Sequence, residues 1–178
     1  MTNAAQPAAA QPAPAHAALD PALRRDLCFA VQEFNADYAD TLDRGDIEAW
    51  PGFFTEDGVY RLIARDNADA GLPLSLMSCE GMGMLKDRAY AIAHTEMFAP
   101  RYVLHVISPA RVSDYRGGLI SAQANYAILE TLVDEPTRLL QCGRYRDTFV
   151  MHGDRLLLKE RNCVYDTVLV PTCVVYPP

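Results

Sequence analysis

The chain has 178 residues, half of them hydrophobic and 22% charged, with a formal net charge of −7. That is one domain's length, with enough apolar material for a sizeable core. The acidic balance and the lack of any Lys/Arg run exclude a general attraction for nucleic acid or anionic lipid, and stretches such as Leu156–Leu158 and Val168–Val170 are far too short to span a bilayer.

From Met1 to Leu19 the sequence is almost entirely Ala, Pro, Gln and Asn. It carries neither a positive n-region nor a continuous apolar h-region, so it does not read as a secretory signal. Pro12 and Pro14 oppose helix and little is available to bury, so residues 1–19 are expected to be a disordered tail before a single domain over 20–178. Asp20-Pro21 is a helix start, with a capping carboxylate and a proline in the first turn. Leu23, Leu27, Val31, Phe34, Tyr38 and Leu42 recur at spacings of three and four, which predicts an amphipathic helix ending near Gly45. Asp46 is placed to cap a short second helix through Trp50, stopped by Pro51. Phe53 and Phe54 precede a turn at Thr55–Gly58, and Val59–Ala64 reads as a strand. Arg65–Pro73 reads as a polar loop, Leu74–Met77 as a short strand, and Glu80 to Phe98 as a third helix weakened at its start by Gly81 and Gly83.

Beyond Pro100 the pattern turns to strand. Tyr102–Val112 is β-rich, and Tyr115–Gly118 is a hairpin signal. Leu119–Val133 alternates, with Ile120, Ala122, Ala124, Tyr126, Ile128 and Leu132 on one face. Asp134–Thr137 is a turn, Leu139–Met151 a strand, His152–Asp154 a tight turn, and Arg155–Val170 the last strand. Helices followed by a run of antiparallel strands argue an α+β fold: a curved antiparallel sheet wrapped round N-terminal helices into a cone. Such a cone either holds a ligand or offers its sheet to a partner.

The search for chemistry is sparse. Five scattered cysteines (Cys28, Cys79, Cys142, Cys163 and Cys173) do not form a disulfide framework and suit a reduced, cytoplasmic protein. A Rieske cluster needs C-x-H and C-x-x-H; the residues two after Cys28, Cys79 and Cys142 are Ala30, Gly81 and Arg144. Of His16, His94, His105 and His152, only His94 and His105 are placed to meet, too few for an iron or zinc site. Gly81–Lys86 lacks the length and third glycine of a phosphate loop. Arg44-Gly45-Asp46 reads as a helix C-cap followed by an N-cap. His105, mid-strand, is the one candidate general base, with Asp37 or Asp57 as partner; the plainer reading is a hydrogen-bonded histidine at a subunit surface. Trp50, Phe53 and Phe54 read as core.

Ordered motifs carry a resemblance. Trp50-Pro51-Gly52-Phe53-Phe54-Thr55-Glu56-Asp57-Gly58-Val59-Tyr60 matches W-x-x-F-F/L-x-x-D-x-x-Y. Leu85–Arg88 matches L-x-D-R. Arg101–Ser108 resembles the strand that follows it, Gly143–Asp147 matches G-x-Y-x-D, and Leu158–Arg161 matches L-x-x-R. Each is weak alone, but their order over residues 25–172 resembles the β subunits of aromatic-ring-hydroxylating dioxygenases, within the NTF2-like (cystatin-like, SnoaL-like) superfamily. Terephthalate dioxygenase and salicylate 5-hydroxylase small subunits are the most similar in the Phe34–Asp40 and Cys142–Phe149 segments. Pro109 stands where the family often has Asn, which fits only an edge or a bulge.

The resemblance implies a non-catalytic subunit with no catalytic residue, metal or cofactor of its own. It implies a partner α subunit with a Rieske [2Fe–2S] cluster and mononuclear Fe(II), fed from NADH through a reductase, in an α3β3 assembly with other β subunits. Arg101, Arg144, Arg146 and Arg161 are then expected at subunit contacts, near Glu130, Asp147 and Glu160. The alternative is a stand-alone SnoaL-like or ketosteroid-isomerase-like enzyme with a cone pocket lined by Trp50, Tyr60, His105 and Tyr126. The state of the cone interior discriminates the two: open around an acid–base pair, or filled by side chains.

Overall fold

A computed structural model describes residues 19–95, 99–169 and 176–178. The expected tail up to residue 18, the expected helix end at Phe98 and the expected strand end at Val170 lie outside the described residues.

Helix α1 (Pro21–Asp43) starts as its sequence dictates. The Asp20 carboxylate accepts from the Ala22 and Leu23 amides, both at 3.0 Å. Leu27, Val31, Phe34, Tyr38 and Leu42 form its buried stripe. The next turn, Ile47–Phe53, is a 3-10 helix with Pro51 inside it, and Asp46 makes no side-chain cap. Strand β1 (Phe54–Ala64) begins earlier than its alternation suggested. The expected polar loop forms a short helix, α2 (Arg65–Asp69), and β2 lies at Met77–Glu80 rather than Leu74–Met77. Helix α3 covers Gly81–His94.

The expected Tyr102–Val112 segment is two strands, β3 (Arg101–Ile107) and β4 (Arg111–Arg116). Ser108 still pairs with Asn125, donating its amide to the Asn125 carbonyl at 2.9 Å. Pro109 then ends the ladder because it has no N–H to give. Strands β5 (Leu119–Leu132), β6 (Arg138–His152) and β7 (Arg155–Tyr165) complete the sheet.

The sheet order is β2-β1-β7-β6-β5-β3, with β4 also on β5. The sheet is mixed rather than wholly antiparallel, because β1 and β7 pair in parallel. Two close approaches need glycine. A Cβ at Gly143 would lie 2.2 Å from the Val164 carbonyl oxygen, and one at Gly58 would lie 2.8 Å from the Phe54 Cβ. The concave face closes over α1 and the 3-10 helix, and the core lies between them.

Candidate functional site

The inward residues of six elements meet in the cone. Trp50, Tyr60 and Tyr145 are fully buried, and Tyr126 nearly so. Trp50 packs edge-on against Tyr60 at 5.2 Å and against Phe54 at 5.5 Å, while Tyr126 stacks on Tyr145 at 4.5 Å. The Trp50 indole N–H donates to the Tyr38 hydroxyl at 2.9 Å, and the Tyr126 hydroxyl donates to Gln141 Oε1 at 2.9 Å. Burial pushes the phenols of Tyr38, Tyr60, Tyr126 and Tyr145 above their ordinary range, so all remain protonated; the Tyr145 hydroxyl is buried without a hydrogen-bond partner. Trp50, Tyr60 and Tyr126 are thus brought together, as core rather than as the walls of an open pocket.

Arg161 is the largest charged group in this interior and is 0% exposed. Its guanidinium donates to the Asp147 carboxylate at 3.1 and 2.8 Å and to Asn35 Oδ1 at 2.6 Å. It also lies 4.1 Å from the Tyr145 ring centroid and 4.3 Å from that of Tyr38. Burial pulls the guanidinium down, but the Asp147 carboxylate outweighs it and holds the charge firmly on Arg161. The expectation of a subunit contact at Arg161 is therefore corrected. The register shift between Thr148 and Phe149 leaves Lys159 without a partner on β6, so Leu158 and Arg161 both point inward, three residues apart. Glu130 and Asp147 are likewise interior groups rather than surface charges.

Arg101 is half-committed inside its own chain. It donates to Glu130 at 2.5 Å, and Arg138 donates to the same carboxylate at 2.9 and 2.6 Å. His105 faces inward and pairs with Asp43, neither of the two aspartates expected. Its ring Nδ1 lies 2.6 Å from the Asp43 carboxylate, which also accepts the His105 amide at 3.0 Å. The last turn of α1 lies over the β3 edge and delivers Asp43 there, whereas Asp57 binds Thr55 and Lys159. The other ring nitrogen of His105 is buried and has no hydrogen-bond partner. The space beside it, closed by Tyr176 and Pro177, is about 20 Å³. That holds one water molecule; a more open concavity of about 240 Å³ lies on the pair's other side, lined by Asp43, Arg44, Tyr102 and His105.

Arg144 and Arg146 do lie on the outer face of the sheet. Arg146 binds Asp69 at 3.2 Å. Arg144 lines a shallow concavity of about 400 Å³ with Arg111, Gln123, Asn125 and Ser108. The register puts Tyr102, Leu104 and Val106 of β3 on this same face, opposite Thr131, Leu129 and Ala127 of β5. Tyr102 is 79% exposed, and Leu104 and Val106 are each about half exposed. Among the described residues no group of three His, Cys, Asp or Glu side chains is placed to hold a metal ion, and no helix is long and apolar enough to cross a membrane.

Comparison with known proteins agrees with this arrangement. The model of the SnoaL-like domain family matches residues 29–162. The anthranilate 1,2-dioxygenase small subunit of Burkholderia cepacia is 32% identical over 149 residues, covering 84% of this chain and 92% of that protein. The beta 2 subunit of the terminal oxygenase component of terephthalate 1,2-dioxygenase from a Comamonas species is 29% identical, covering 83% and 96%. A crystal structure from Novosphingobium aromaticivorans, assigned to the beta subunit of an aromatic-ring-hydroxylating dioxygenase, aligns with a TM-score of 0.79 at 35% identity, covering 88% of this chain and 99% of that one. By these matches the chain belongs to the SnoaL-like family, as a small (β) subunit of the aromatic-ring-hydroxylating dioxygenases.

Proposed function

We propose that this chain supports a catalytic α subunit in a cytoplasmic oxygenase acting on an aromatic acid, and takes no part in the chemistry itself. The α subunit would carry the Rieske [2Fe–2S] cluster and the mononuclear Fe(II), with electrons from NADH through a reductase. The assembly would be α3β3, with this chain also contacting other β subunits. In this reading the redox steps run on the α subunit.

The observation that carries the reading is the filled cone. Its interior is occupied by Trp50, Tyr60, Tyr126, Tyr145 and the Arg161–Asp147 pair, while the apolar and cationic surface faces outward. The Asp43–His105 pair is what a stand-alone cone enzyme would use as its base. Here the carboxylate is committed to the β3 backbone, whose His105 amide it accepts, and the enclosed space on the cone side of the pair is only about 20 Å³. Arg111 and Arg144, beside the exposed β3 side chains, are the candidate α-subunit contacts. Charges of this kind set register and specificity more than affinity.

Co-expression with a candidate α subunit from the same source tests the proposal. A stable complex that hydroxylates an aromatic acid, with this chain self-associating or poorly soluble alone, is the expected result. A well-behaved monomer that ignores the α chain would sink the reading.

A further inference from the structure

Strand β3 is a terminal strand of the sheet. The Ser108 amide donates to Asn125 of β5, and donor direction alternates along a strand, so the Tyr102, Leu104 and Val106 amides also point to β5. The His105 amide points the other way, off the edge of the sheet. An edge of this kind pairs readily with another chain. Arg101–Ile107 has the composition for it, with three β-branched residues, no acidic residue and no proline. Tyr102, Leu104 and Val106 leave its outer face apolar and exposed.

Asp43 stands across that edge. Both of its carboxylate oxygens accept the His105 amide, at 3.1 and 3.0 Å, and one of them lies 2.6 Å from the His105 ring Nδ1. An incoming strand needs that amide for its own carbonyl, and would have to bring the carbonyl up against the carboxylate to reach it. The concavity of about 240 Å³ beside the pair leaves Arg101, Tyr102 and Val103 reachable from outside.

We propose that Asp43 guards the β3 edge against strand addition, and that the edge takes the β3 strand of a second copy in antiparallel register once the carboxylate is removed. A second copy fits because each edge offers the same backbone donors and acceptors, so a two-fold axis at Leu104 satisfies both at once. That register sets Val103 of each copy opposite His105 of the other, and Arg101 opposite Ile107, so no like charges meet. The residues paired in this way are the ones whose amides point off the edge. The role holds whether or not the chain binds an α subunit.

Sedimentation velocity of the purified chain at a series of concentrations tests this. Asp43→Ala, checked for folding by circular dichroism, is expected to associate at least about tenfold more tightly than the unaltered chain. Adding Leu104→Lys sets two lysines opposite each other across the axis. It should return association to the level of Leu104→Lys alone, which is the reference for any contact made by the outer face. A fold that is merely loosened would not respond in this way, because Leu104 lies outside the core. If Asp43→Ala is insoluble, Asp43→Asn, which drops the charge and keeps one acceptor for the His105 amide, is measured instead, with the same direction expected. Association equal to that of the unaltered chain, or association that persists with Leu104→Lys, overturns the proposal.

Discussion

Arg161 shows how one buried charge is held. Two bonds to Asp147, one to Asn35 and two aromatic faces replace the water it has lost. Removing one partner leaves the other charge buried and uncompensated, so Asp147→Asn is expected to cost about 3–5 kcal/mol in urea unfolding. Replacing both by leucine should cost less than either single change. Asp43 is a second such residue. Asp43→Ala leaves the His105 amide and ring nitrogen without their acceptor and should cost about 1–3 kcal/mol. If His105 were a base for the reaction, His105→Asn would abolish turnover in the assembled oxygenase. The filled cone predicts that turnover persists once assembly is matched.

The thiol of Cys163 gives stability a pH signature. Burial pushes it from its ordinary 9.0 up to about 12. The folded state therefore favours the protonated thiol, and its contribution is complete below pH 9. Above that pH the unfolded chain releases the proton and the folded chain keeps it, so stability falls until about pH 12. The buried tyrosines act in the same direction at higher pH. Urea midpoints measured from pH 7 to 11 should show this decline. Cys163→Ala should flatten its first part, and an unaltered slope would remove Cys163 from the explanation.

At the level of elements, the sequence was legible where periodicity was unbroken. The stripe from Leu27 to Leu42 and the Asp20 cap fixed α1, and the alternation from Ile120 to Ile128 fixed β5. The matched G-x-Y-x-D of β6 follows the same period of two. Gly143, Tyr145 and Asp147 all point inward: one for close approach, one for stacking and one for charge. Gly143→Ala would drive a methyl group into the Val164 carbonyl of β7. The expected result is insoluble protein, or a loss of about 3 kcal/mol or more measured by thermal unfolding of the soluble fraction.

Irregularity hid the rest. The bulge at Lys159 reverses the phase of β7, so a strict alternation puts Arg161 on the wrong face. Parallel pairing of β1 with β7 joins segments a hundred residues apart and leaves no local signal. The Asp43–His105 pair is equally non-local, since it depends on where α1 ends above β3.

For the whole molecule, inside and outside have different work. The inside is closed by aromatic packing and internal ion pairs. The outside carries exposed Tyr102, Leu104 and Val106 beside Arg111 and Arg144, and among the described residues neither arginine has a carboxylate partner within its own chain. Arg111→Glu with Arg144→Glu should leave the fold intact and weaken capture of the α subunit about tenfold or more, read by affinity chromatography at two salt concentrations. Undiminished capture would move the interface elsewhere. The central claim concerns where the chemistry resides. It is tested most directly by measuring iron content and aromatic hydroxylation on this chain alone, on the α subunit alone and on the two together. The account predicts iron only with the α subunit and no turnover by this chain in isolation. Stoichiometric iron on this chain, or hydroxylation by it without a partner, would contradict it.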